Sequence, residues 1–141
     1  MSTSSLPDMK QKQKLLYADD ISAEILIKHG MAFYEQGWFS DALDFFSKAE
    51  HTEGLEMLKE AVVQQGDAFL FNRCLVALGI DDAGSQWCEV ADRALTLGKL
   101  QFAREGYRRC GDRKSMEKVD RMILPDQESE STEEELGDEP Q

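Results

Sequence analysis

Glu53, Glu56 and Glu60 stand three and four residues apart, so any helix that carries them presents three carboxylates on one face. Carboxylates so placed attract lysine or arginine of a ligand, although an ordinary solvated helical face has the same composition. The other residue types able to do chemistry lack the spacing for it. His29 and His51 are the only histidines, and neither falls in a metal or triad spacing with Asp, Glu or Cys. Cys74, Cys88 and Cys110 are odd in number and without metal-site spacing, so reduced, buried thiols in a cytoplasmic protein are expected, ahead of a redox or metal role. A Gly-rich phosphate loop, H-E-x-x-H and G-x-S-x-G do not occur. With 28 acids in the chain, two neighbouring carboxylates mean nothing by themselves. No catalytic residue, cofactor or metal is therefore expected, and the chain reads as a non-enzyme.

The balance of charge narrows the partners. Net charge is −12 over 141 residues, but residues 125–141 hold eight acids and no base, while residues 104–121 hold seven bases and four acids. Nucleic acid and anionic membrane are polyanions, so this acidic chain is expected to bind neither. Basic protein segments suit it better. No apolar run reaches the roughly 20 residues needed to span a bilayer, and the N-terminus lacks the apolar block of a secretory signal.

The elements that must carry these residues are helices. All three prolines (Pro7, Pro125, Pro140) lie outside 20–124, and β-branched residues never alternate with polar ones over a useful length. Glycines 37, 54, 66, 79, 84, 98 and 111 read as breaks between segments of helix length. The segments predict three hairpins, 21–36 with 39–51, 53–65 with 67–78, and 84–97 with 100–110, then a seventh helix over 112–124. Pro125 ends the last one. Residues 1–19 form a flexible or marginally helical arm, with Pro7 at the first helical position. Residues 125–141 form an acidic tail, disordered on composition. Ser131 and Thr132 there each have Glu three residues on, a pattern that acid-directed kinases favour. The tail is expected to lie over the basic strip of Arg104, Arg108, Arg109, Arg113, Lys114, Lys118 and Arg121.

The stretch "HGMAFYEQGWFSDALDFFSKAE" explains how a hairpin would pack. Gly30 and Ala42 supply a close approach of two helices, Phe33, Phe39 and Phe46 fill the space around it, and Gly37 permits the turn. Trp38, on that turn, is expected to pack partly under a neighbouring hairpin, with an exposed contact residue as the alternative. One hairpin cannot bury both faces, and the layout recurs 61 residues later. Gly98 answers Gly37, Leu100 answers Phe39, Ala103 answers Ala42, Tyr107 answers Phe46, Cys110 answers Ala49, and Ala91 stands where Gly30 stood. A weaker copy lies between, with Lys59 and Phe71 at places where small residues belong.

This pattern, G-x-x-F-x-x-x-G-x-F-x-x-A-x-x-x-F-x-x-A, resembles the tetratricopeptide repeat, and the likeness covers about residues 24–111. The resemblance implies an all-α fold, a right-handed array of three antiparallel hairpins closed by a C-terminal capping helix over 20–124. It also implies a concave groove lined by the first helix of each hairpin. Carried over residue by residue, that groove takes Ile27, Met31 and Tyr34, then Glu53, Glu56, Met57, Glu60 and Val63, then Cys88, Glu89, Asp92 and Leu95. The lysine–asparagine pair with which some members clamp a terminal carboxylate is missing, since Ile27 and Met31 stand there. The implied function is a protein-interaction module (adaptor, scaffold or small chaperone) that holds a basic and apolar segment of another protein. The alternatives are a secretion-type chaperone and a structural subunit of a larger α-solenoid, coat or secretion assembly. Neither oligomeric state nor partner identity is readable from the residues.

Overall fold

The computed structural model describes residues 6–125, and within them every regular element is an α-helix. The acidic tail beyond Pro125, with Ser131 and Thr132, lies outside the described residues, and so does the contact expected between it and the basic strip. The helices are α1 (Met9–Tyr17), α2 (Ala23–Glu35), α3 (Phe39–Lys48), α4 (Thr52–Gln65), α5 (Ala68–Leu78), α6 (Gln86–Thr96), α7 (Leu100–Cys110) and α8 (Arg113–Ile123). The described residues fall into two compact units. One runs up to Gln64 and includes Phe69–Ala83; the other takes Gln65–Ala68 and everything from Gly84 onward.

Most helix ends have one chemistry. The α2–α3 turn closes with Trp38 N–H donating to the Phe33 carbonyl and Gly37 N–H to that of Tyr34. The same pair recurs 61 residues on, from Lys99 to Ala94 and from Gly98 to Leu95. These are the 6→1 and 5→2 bonds that satisfy a helix's last carbonyls. The break after α3 uses the same bonds but a different residue: Glu50, at φ 52°, is the one non-glycine with positive φ among the described residues. Gly54, expected to break the chain there, instead lies buried inside α4. Its reason is space, since a Cβ on it would come within 2.6 Å of the His51 ring and 2.9 Å of Phe46.

In the first unit α2 packs on α3. Leu26, Phe33, Leu43, Phe45, Phe46, Leu58, Val62 and Phe71 are buried, and Phe33 stacks on Phe45 with centroids 5.5 Å apart. Gly30 was expected to let two backbones approach; what it meets is the Phe46 ring, 2.6 Å from where a Cβ would stand. Lys59 is buried at the place of a small residue and pairs with Glu56 at 3.2 Å.

The second unit solves the same packing problem with smaller residues. α6 packs on α7, and α7 on α8, around Ala91, Ala94, Ala103, Tyr107 and Val119. Gly106 is buried, and a Cβ there would sit 2.7 Å from that of Ala91. Gly66 is tighter still, because at φ 65° its missing Cβ would lie 2.6 Å from the backbone of Ala94. Cys88 and Cys110, expected as separate reduced thiols, form a disulfide between α6 and α7 with Cα atoms 5.5 Å apart. Cys74 is free and buried, as expected of all three. Beside the disulfide, the Arg109 guanidinium lies over the Trp87 ring, 4.9 Å from its centroid.

Candidate partner-binding site

Phe46 decides how the first-unit site residues are arranged. Its ring meets both Gly30 of α2 and Gly54 of α4, so these two helices close on one aromatic ring. Glycine at both places removes the only atoms that could hold them further apart. The expected residues flank those glycines. Ile27, Met31 and Tyr34 lie three residues before, one after and four after Gly30, and all three are half-buried. Glu53 and Met57 lie one before and three after Gly54, and Glu60 follows one turn later. Tyr34 is steadied by stacking on Phe39, 5.2 Å between centroids.

The carboxylates are not equivalent. Glu53 and Glu60 are exposed on α4 and face water. Glu56 is exposed as well, but its carboxylate is the counter-ion of buried Lys59, so its charge is already engaged. Val63 is buried and belongs to the core rather than to a groove.

Glu89 and Asp92 lie on α6, in the second unit. Glu89 is exposed. Asp92 accepts a hydrogen bond from the Tyr107 hydroxyl at 2.6 Å. Burial of the phenol, then that hydrogen bond and its charge, push the Tyr107 pKa well above the tyrosine range. Cys88 is turned to Cys110 by the disulfide, and Leu95 packs on the core of its unit.

At least three of the seven residues of the basic strip are paired from within. Arg108 and Arg109 both reach Glu105, at 2.7 and 2.8 Å, and Arg104 reaches Asp120 at 2.5 Å. The Arg108 hydrogen bond first, opposed by partial burial and reinforced by Arg109, holds the Glu105 pKa below the usual carboxylate value.

A second surface was not read from the sequence. On α3, Asp41 and Asp44 stand one turn apart and both accept from the Lys12 ammonium of α1, at 2.5 and 2.8 Å. Arg73 of α5 also reaches Asp44, at 2.8 Å. Burial disfavours the charged form of Lys12, but the two aspartates outweigh it and hold its pKa above that of an ordinary lysine. Trp38, expected to be packed, is 57% exposed and takes the alternative role of an accessible aromatic beside these acids. The missed signal was Asp8-x-x-Gln11, a capping box: Asp8 caps α1, Gln11 returns the bond, and Pro7 precedes the cap instead of opening the helix.

Among the described residues no group of His, Cys, Asp and Glu is placed to hold a metal ion, and no helix is long and apolar enough to cross a membrane. No protein-family model, curated protein or solved structure matches the chain.

Proposed function

We propose that this protein is a non-enzymatic interaction module that holds a basic and apolar segment of another protein along α2 and α4. The observation that carries this reading is the Phe46 ring shared by Gly30 and Gly54, with half-exposed Ile27, Met31 and Tyr34 beside the one glycine and exposed Glu53 and Glu60 beside the other. Apolar burial would supply affinity, and the carboxylates would select lysine or arginine in the ligand. The resemblance to tetratricopeptide repeats, which implies a right-handed array of three hairpins, points the same way. Neither nucleic acid nor membrane is a proposed ligand, and no cofactor takes part.

The cytoplasmic setting expected from the sequence is proposed with one condition. Structural disulfides persist in oxidising compartments, so in the cytoplasm the Cys88–Cys110 bond would have to form and break. Thiol labelling of protein taken from its native compartment separates the two.

The alternative, a permanent subunit of a larger assembly, is favoured by a different face. Val76 is 71% exposed at a cavity of about 630 Å³ lined also by Leu43, Leu55 and Arg73, which suits a packed neighbour better than a transient peptide.

The test is fluorescence titration of amphipathic lysine–leucine peptides against the full chain and the Glu53→Gln/Glu60→Gln variant, at low and high salt. Binding should weaken in the variant and in salt, because these charges are exposed and screened. Binding indifferent to both would remove the acidic selection from the account.

A further inference from the structure

Helix α1 is held to the first unit in an unusual manner for a structural helix. It has nine residues and none of its side chains is buried; Met9 is 78% and Tyr17 82% exposed. A helix this short is marginal on its own in water. Leu15 and Leu16 are only half-buried, and the specific ties are polar: Lys12 on Asp41 and Asp44, and the Lys48 ammonium of α3 on the carbonyls of Leu16 and Ala18 at the helix end. Lys48 there answers the negative end of the helix dipole.

The seat is also larger than its occupant. A cavity of about 500 Å³ runs along one side of α1, between Phe33 and Trp38 on one hand and Met9, Gln13 and Leu16 of α1 on the other, so a polar side chain stands among the apolar ones that line it. On the other side a cavity of about 410 Å³ lies between Leu15, Lys14 and His29. A helix that belonged there as core would fill these spaces with apolar side chains, since interiors pack to the density of organic crystals.

We propose that this seat on α2 and α3 is a docking groove for a lysine-bearing amphipathic helix of a partner protein, and that α1 is its displaceable resident. The carboxylate pair fixes the partner's chemistry, because two aspartates one turn apart, already matched to an ammonium, accept another lysine or arginine in its place. The cavity beside Gln13 fixes the second feature, a bulky apolar residue directly after that cation and another three residues later, at the places of Gln13 and Leu16. α1 has the charge of such a ligand but only one of its two apolar residues, Leu16, with Gln13 at the other place. Tethering supplies the difference, keeping a weak helix at high local concentration until a better one arrives. This site uses residues other than Ile27, Met31, Tyr34, Glu53 and Glu60, so the two can fail separately.

The experiment measures binding of a labelled synthetic peptide of residues 6–20 carrying Gln13→Leu to three full-length chains. Wild type should bind weakly. Lys12→Glu, which repels α1 from Asp41 and Asp44, should bind at least about tenfold tighter, since affinity scales with the fraction of chains whose groove is open. Adding Asp41→Asn and Asp44→Asn to that variant should return binding to the wild-type level or below. A well-folded Lys12→Glu chain that binds no tighter, or binding blind to the two aspartates, overturns the proposal. So does a wild-type chain that sediments as a dimer and is made monomeric by Lys12→Glu, because the occupant would then be α1 of a second copy. If Lys12→Glu does not fold, hydrogen exchange on wild type decides: α1 amides should exchange far faster than those of α3, and equal protection overturns displacement.

Discussion

The ring of Phe46 occupies the space where a side chain on Gly30 would stand, its nearest carbon 2.6 Å from an ideal Cβ. Gly30→Ala should therefore destabilise the first unit by about 1–3 kcal/mol through overpacking. Phe46→Leu in the same chain should recover part of that loss, and a double-mutant cycle by urea denaturation measures it. Additive losses would mean that the two positions do not share this space.

Turn glycines should differ sharply among themselves. Gly37 has φ 80° and nothing within 4 Å, so Gly37→Ala meets only the left-handed penalty, about 1–2 kcal/mol. Gly66 has the same kind of backbone and in addition the Ala94 main chain 2.6 Å away, which cannot rotate aside. Gly66→Ala should lower the melting temperature far more. The converse holds at Glu50, where Glu50→Gly should stabilise by up to about 1 kcal/mol by relieving a left-handed non-glycine.

Reduction of the Cys88–Cys110 bond should cost about 3 kcal/mol, the scale expected for a cross-link that closes a loop of this order; the two cysteines are 22 residues apart. Calorimetry with and without reductant measures it, and Cys88→Ser/Cys110→Ser should match the reduced protein. Identical melting in all three would show that the bond constrains little.

Acid should weaken the fold in two stages. Burial first, and the neighbouring Lys28 charge second, hold the His29 pKa below its ordinary 6.5. The unfolded chain then binds a proton that the folded chain resists, so stability falls as pH drops through about 6.5. Glu105 has a depressed folded pKa, so its contribution is present above its ordinary 4.5 and is lost as pH falls further, through the folded value. Denaturation midpoints against pH should show both phases, and His29→Gln should remove the upper one.

Helix boundaries were legible where chemistry repeats. α2, α3, α6 and α7 show themselves through turn glycines and a 61-residue recurrence, because a helix end needs the same carbonyl-satisfying bonds each time. Gly54 misled because glycine marks either a turn or a lack of room, and only the neighbours tell which. Gly106 went unread for the same reason. The disulfide was hidden by counting: an odd number of cysteines says nothing about which two face each other. The recurrence does place Cys88 and Cys110 on opposite helices of one hairpin, and pairing of α6 with α7 supplies the rest. Of the candidate site, the acids were visible as acids. That Glu56 serves Lys59 and Asp92 serves Tyr107 depends on tertiary contacts that spacing does not carry.

Methyl NMR of the full-length protein tests the central claim most directly, because Ile27, Met31 and Met57 report on α2 and α4 while Leu15 and Leu16 report on α1. During titration with a lysine–leucine peptide, the account predicts saturating shifts of Ile27, Met31 and Met57 that diminish with Glu53→Gln/Glu60→Gln. Shifts confined to other methyl groups, or a chain that leaves all three unmoved at saturation, would contradict it.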